Sequence, residues 1–209
     1  MPQPKVKTHH TFSYADYQHW DDGQRWELID GEAYAMSPAP VVDHQTVVGA
    51  VFAQFYQQLR GKPCKPMLSP LDVLLPRAGE ANDNVTTTVQ PDLLIVCDPN
   101  KIERKFVRGA PDFILEVVSP GHASYDHVLK RRRYEQAGVR ELWLVDPAER
   151  VLWVYVLQDG VYTNVSVQEL AGARPLAILP EVSVDWDAVV AELPPLPTAS
   201  REPPTPPQL

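Results

Sequence analysis

Cysteine is scarce, with two residues, Cys64 and Cys97, among 209. They stand alone, with no CxxC pair and no neighbouring His at metal-ligand spacing, so the chain carries no sequence sign of a zinc site. Both read as reduced thiols, in keeping with a cytoplasmic protein. Long apolar runs are also lacking: none reaches the roughly 18 residues a membrane span needs. The leader MPQPKVKTHH has no apolar segment after its charges, so no secretory signal is expected and the cytoplasm is the expected location. Neither GxGxxG nor GxxxxGK[ST] occurs, which leaves a dinucleotide fold and a P-loop without support and no organic cofactor expected. Positive charge is not in excess either. The net charge is −8 and the isoelectric point about 5.2, which excludes a protein held on nucleic acid by bulk charge and leaves only local patches for that purpose.

Two such patches exist, Lys101, Arg104, Lys105, Arg108 and then Lys130 to Arg133, on either side of the stretch PDFILEVVSP. Each reads equally as a solvated face. The rest of the composition, 44% apolar and 22% charged, suits one soluble globular domain with a real core. We expect a flexible leader over 1–11, one domain over 12–190 and a proline-rich disordered tail over 191–209.

Along the chain, Phe12–Trp20 reads as a short helix with Ser13 as its N-cap. Trp26–Ile29 and Ala33–Met36 flank Asp30-Gly31, a strong hairpin signal. His44–Leu59 carries apolar residues at Val47, Val48, Val51, Phe52, Phe55, Tyr56 and Leu59, the stripe of an amphipathic helix, with Asp43 as cap and Gly61 as terminator. Leu71–Leu75 is a short strand and Arg77–Thr88 a loop. Val89–Cys97 and Phe113–Val118 are buried strands, with a charged connection, in part a short helix, between them. Ser124–Ala137 is a helix ending before Gly138, and its N-terminal Asp126 reads as a capping carboxylate or a site residue. Glu141–Val145, Val151–Leu157 and Val161–Val167 are further strands.

Glu116 poses the functional question, because an ionised carboxylate in a buried strand is costly unless paired or bound to a metal. Asp112 cannot share an ion with it. Four residues of strand put their backbones about 13 Å apart, whereas each ligand oxygen must approach Mg²⁺ to about 2.1 Å. Asp92 begins a different strand, and if the two strands are neighbours, about 4.8 Å apart, the carboxylates converge. A hard cation held by such a pair suits phosphodiester hydrolysis, and a nearby lysine would orient the attacking water.

These pieces, Pro91-Asp92 followed by Glu116 in an apolar strand, resemble the PD-(D/E)XK nuclease superfamily. The wording is most similar to its Uma-type restriction endonucleases, through WELIDGEAYAMSP, His44 opening a helix, VQPDLLIV, FILEVVSPGHASYD, the Lys130–Tyr134 helix and GVRELWLVDP, over roughly residues 12 to 158. The resemblance implies a restriction-endonuclease-like α/β fold, a central mixed sheet flanked by helices. It also implies a metal-dependent endonuclease acting on DNA with Mg²⁺, for which Mn²⁺ substitutes. The superfamily lysine two residues past the glutamate would fall at 118, where this chain has Val118. The branch resembles a version with that lysine moved to the next helix, which Lys130 fits, on an inner strip with His127, Tyr134 and Ala137, while Arg131, Arg132 and Arg133 fan outward. By the same resemblance Glu27 completes the metal site with Asp92 and Glu116, Glu32 being its exposed rival. His44 lies at the rim of the cleft. A homodimer is the further expectation, since a duplex takes two cuts. Two alternatives stay open, a catalytically silent binding or assembly protein and a hydrolase of small phosphoesters.

Overall fold

The structure is a computed structural model that describes residues 6–7, 10–36, 40–118 and 125–195, with side chains except at 6, 7, 125–127 and 164. Fourteen strands and four helices follow one another as β1 (Val6–Lys7), α1 (Tyr14–Tyr17), β2 (Trp26–Ile29), β3 (Glu32–Ala35), α2 (Val42–Leu59), β4 (Lys65–Leu68), β5 (Asp72–Leu74), β6 (Thr88–Val89), β7 (Leu93–Val96), β8 (Phe106–Arg108), β9 (Phe113–Val117), α3 (Tyr125–Ala137), β10 (Glu141–Asp146), β11 (Val151–Gln158), β12 (Val161–Glu169), β13 (Ala173–Pro175), β14 (Ser183–Asp185) and α4 (Trp186–Ala191).

The expected mixed sheet with flanking helices is present, and it has a companion. One six-stranded sheet runs β12-β11-β10-β9-β7-β4 and a second runs β1-β3-β2-β6-β5-β8, with a small pair β13-β14. In the first, β9 and β10 are parallel and the other neighbours antiparallel. Side-chain alternation divides each buried strand between two cores. Leu93, Ile95, Phe113, Leu115 and Trp143 meet Val47, Val51, Phe55 and Leu59 of α2, with Trp186 of α4 closing that side. Leu94, Val96, Ile114, Val118, Leu142 and Leu144 face the other way, onto Tyr134 of α3 and onto Ile29, Val73 and Val89 of the second sheet. That second core is where Glu116 points.

Local signals account for the hairpin and the long helix. Asp30 and Gly31 have φ of 57° and 79°, the left-handed pair a two-residue primed turn needs. A Cβ on Gly31 would meet Thr11 Cγ2 at 2.4 Å, so glycine alone fits. Helix α2 starts at Val42, with Val41 rather than Asp43 in the cap position and Asp43 in the first turn, where its charge suits the helix dipole.

Several expectations change. Val89–Cys97 is not one strand: β6 ends at Val89 and β7 starts at Leu93, because Pro91 has no N–H for a ladder and the chain passes there from one sheet to the other. Strands β4, β8, β13 and β14 and helix α4 are too short to announce themselves by periodicity. Cys64 and Cys97 are not thiols but a disulfide. Lys65 pairs with Val96 across β4 and β7, so the next residues outward, Cys64 and Cys97, are cross-strand neighbours, a relationship sequence spacing does not reveal. The thiol argument for a reducing compartment falls with it. Ala137 is exposed and leaves the inner strip. Trp143 is fully buried, as expected of a core strand, and Trp153 is partly so. Leu193 is buried in the α2-side core, inside the span read as tail. The side chains of Asp126 and His127, and residues 196–209, lie outside the described residues. Among the described residues no helix is long and apolar enough to cross a membrane.

Candidate active site

Glu116 points into the second core, 4% exposed, with Oε1 accepting from Tyr134 Oη at 2.6 Å and from Lys130 Nζ at 3.1 Å. Both donors come from α3, one turn apart, so a single helix face supplies them. Lys130 Nζ also sits 2.9 Å from Glu27 Oε1 of β2. One buried ammonium therefore bridges the two sheets through two glutamates. Val118, where the superfamily pattern has its lysine, packs in the same core, and the cation arrives from the helix instead.

Asp92 stands just before β7. Leu93 pairs with Leu115 in antiparallel register, so Asp92 falls opposite Glu116. The two strands are the neighbours on which that convergence depends. Asp92 Oδ2 accepts from the Val117 amide at 2.8 Å and meets His44 Nε2 at 3.1 Å. His44 opens α2 and is buried rather than at a rim, with Nδ1 buried and without a hydrogen-bond partner among the described residues. Asp112, excluded above on distance, sits at the far end of β9, where it accepts from the Cys97 amide at 2.8 Å and pairs with Arg140 at 3.3 Å. Glu32 is exposed and takes the Tyr34 hydroxyl.

The electrostatics are those of crowded carboxylates. Burial pushes the Glu116 carboxyl up, Lys130 pulls it back, and the Asp92 charge pushes it up again. Glu27 is likewise raised by burial, against the pull of Lys130 and with a push from Glu116. Burial alone would lower the Lys130 ammonium. The adjoining Glu116 and Glu27 outweigh it and hold the ammonium above its ordinary range, so it stays charged. The Tyr134 phenol is raised well above its usual value by burial and by the same glutamates. The buried Glu27 and Glu116 and the partly exposed Asp92 stand against one lysine, oxygen donors of the type a hard divalent cation takes. Asp92 Oδ1 and Glu116 Oε2 make no hydrogen bond within the described residues. Among those residues no group of three or more His, Cys, Asp and Glu is placed to hold a metal ion. An ion at this place would have the Asp92–Glu116 pair as its donors, Glu27 being held by Lys130.

Sequence reasoning missed Gln90. Its amide donates to Glu27 Oε1 at 2.7 Å, and its side chain is clamped between Tyr17, Asp72 and Arg25. A buried glutamine beside Pro91 was the only available signal. The arginines after Lys130 are less free than expected. Arg131 lies over the Tyr155 ring at 5.6 Å, Arg133 pairs with Asp30, and Arg132 is exposed. In the other basic patch, Lys101 and Arg108 are bound to Ala110 O and to Asn82 and Glu80 O, which leaves Arg104 and Lys105 exposed.

A mixed sheet flanked by helices, with an Asp and a Glu on neighbouring strands and a lysine against the Glu, is a restriction-endonuclease-like fold. Residues 14–191 match the Uma2 family, described as "Putative restriction endonuclease", and the chain belongs to that family. Its fold is similar to the crystal structure of a protein from Anabaena variabilis described as "a putative nuclease belonging to DUF820", with a TM-score of 0.66 at 18% identity over 86% of this chain and 98% of that one. It is also 27% identical over 135 residues to the uncharacterized protein slr1290 of Synechocystis sp., a match spanning 64% of either chain.

Proposed function

We propose that the chain is a metal-dependent endonuclease that hydrolyses phosphodiester bonds of DNA, with Asp92 and Glu116 holding Mg²⁺ and Mn²⁺ able to substitute. The observation that carries this reading is the register that sets Asp92 opposite Glu116 while Lys130 stands 3.1 Å from the latter. A divalent cation held by Asp92 and Glu116 would supply Lewis-acid polarisation of the phosphoryl group and activation of water near neutral pH. The chain's own part is preorganisation. The Val117 amide and His44 fix Asp92 by one oxygen, leaving the other to face a ligand. Tyr134 and Lys130 do the same for Glu116. Lys130 offsets charge developing at phosphate and positions water, and because it stays protonated it is no general base. Glu27 anchors Lys130 in this arrangement and is the third candidate ligand should the ammonium turn toward substrate. A homodimer would supply the two cuts a duplex needs, and a sedimentation measurement finding only monomer at micromolar concentration would remove that part.

A second reading has its own observation. Lys130 already gives Glu27 and Glu116 a counter-charge, which is what a silent binding or assembly protein would retain. Cleavage of supercoiled plasmid with Mg²⁺ or Mn²⁺, wild type beside Glu116→Gln, separates the two. Cutting by the wild type that is lost in the variant and with chelator is expected. No cutting of any DNA form by either protein favours the silent reading, and activity on nucleotides alone favours a small-phosphoester hydrolase.

A further inference from the structure

The chain crosses from the second sheet to the first on three residues, Gln90, Pro91 and Asp92, none of which belongs to a strand. Pro91 has a fixed φ, and the residue before a proline is confined to extended backbone. The crossing is therefore stiff, and whatever holds Gln90 also restricts Asp92 two residues on.

Gln90 is buried and held from two sides. Its Nε2 donates to Tyr17 Oη at 3.0 Å and to Asp72 Oδ1 at 2.9 Å. Its Oε1 accepts from Arg25 Nε at 3.1 Å and from Arg25 Nη2. Two donor hydrogens and two acceptor lone pairs are the whole capacity of a carboxamide. The surroundings select that group, because they place a carboxylate on one side and a guanidinium on the other. A glutamate would set a second carboxylate against Asp72, and a leucine would take a partner from both Asp72 and Arg25.

A second route runs from this clamp to Asp92. Arg25 Nη2 donates to Ser69 Oγ at 2.8 Å, and the Ser69 amide donates to the Asp92 carbonyl at 3.1 Å. Gln90, Arg25, Ser69 and Asp92 thus close a ring about the buried Pro91. A third contact reaches the other sheet. The Gln90 amide donates to Glu27 Oε1 at 2.7 Å, the oxygen that also meets Lys130 Nζ at 2.9 Å.

We infer that Gln90 is a positioning residue that sets Glu27 and Asp92, one carboxylate from each sheet, relative to each other. It acts through those two groups, as outer partners of an ion site do, and Lys130 follows because Glu27 holds it. The inference deepens the nuclease reading and rests on it where Asp92 is taken to hold an ion. The placing of Glu27 and Lys130 does not depend on that reading.

The test compares Gln90→Leu and the milder Gln90→Glu with wild type by two measurements. Isothermal titration calorimetry gives the Mn²⁺ affinity. Nitrogen-15 NMR of the metal-free protein gives the Lys130 ammonium resonance, identified by its loss in Lys130→Arg. The control for destabilisation alone is Glu141→Ala, which strips a buried carboxylate from the Trp143 indole and the Ile178 amide. Gln90→Leu is expected to weaken Mn²⁺ binding by about 10- to 100-fold and to shift or broaden the ammonium signal, with smaller effects in Gln90→Glu and none in Glu141→Ala. If the wild type binds no Mn²⁺, the ion reading fails and the ammonium signal decides this inference by itself. Unchanged affinity and an unchanged signal in the folded Gln90 variants overturn it, as do equal changes in Glu141→Ala. Should Gln90→Leu not fold, Gln90→Glu decides, and failure of both to fold would make Gln90 a structural residue and overturn the inference as well.

Discussion

The Val117 amide donates to Asp92 Oδ2 at 2.8 Å. That bond ties the residue just before β7 to the residue just after Glu116, so the two carboxylates proposed to share an ion are positioned by backbone as well as by pairing register. Asp92 Oδ2 is committed to the scaffold, while Oδ1 makes no hydrogen bond among the described residues.

Metal binding should therefore be measurable as stability. A ligand at about 100 times its Kd adds about 2.7 kcal/mol to the folded state. Mg²⁺ is expected to raise Tm by several degrees in differential scanning calorimetry, and chelator to reverse it. In Glu116→Gln the rise should disappear. A rise of equal size in that variant would place the ion elsewhere.

His44 holds Asp92 without being required by the fold, because the Val117 amide remains. His44→Ala is expected to weaken Mn²⁺ binding by about 10- to 100-fold, the usual cost of losing a partner that orients a ligand. Isothermal titration calorimetry measures it. Unchanged affinity would make His44 a packing residue.

Removing the ammonium leaves Glu27 and Glu116 buried without a counter-charge. Lys130→Met is expected to destabilise the metal-free protein by about 3–5 kcal/mol at neutral pH. The pH dependence has a definite sign. Both carboxyls are already raised by burial, and loss of Lys130 raises them further. The folded variant thus binds protons more tightly than its unfolded chain, and its stability is greatest below the unfolded carboxyl pKa of about 4.3 and falls as pH rises above it. Urea denaturation at pH 5 and pH 8 should show the larger deficit against wild type at pH 8. A pH-independent deficit would mean that packing, not charge, was lost.

The Cys64–Cys97 disulfide closes a loop across a sequence separation of 33. The chain-entropy relation assigns such a loop about 3–4 kcal/mol. Urea unfolding with and without reductant should differ by that order, and alkylation of the unreduced, unfolded chain should label neither cysteine. Labelling of both would place them as thiols.

Glu141 is fully buried, with one oxygen accepting from Trp143 Nε1 at 2.7 Å and the other from the Ile178 amide at 3.0 Å. It pins the C-terminal segment onto β10. Glu141→Ala orphans two buried donors and is expected to cost about 1–3 kcal/mol for each, read by urea denaturation, while oligonucleotide binding by the folded variant stays at the wild-type level.

The sequence by itself determined the parts that depend on neighbours along the chain. The Asp30-Gly31 hairpin follows from two residues that accept positive φ, α2 from a 3.6-residue apolar stripe, and the buried strands β9 and β10 from unbroken apolar runs. Glu116 was legible because a carboxylate in an apolar run must answer for its desolvation, whereas Lys130, in the charged run Lys130–Arg133, was picked out by the family resemblance. Tertiary structure decided what depends on pairing. The register of β7 on β9 sets Asp92 opposite Glu116, and that of β4 on β7 sets Cys64 opposite Cys97, and a one-residue slip would turn every side chain to the other face. The same geometry brought Glu27 and Gln90, distant in sequence, to opposite sides of one sheet and joined them by a single amide. No local propensity encodes that contact, since its free energy comes from burying both faces of the sheet at once.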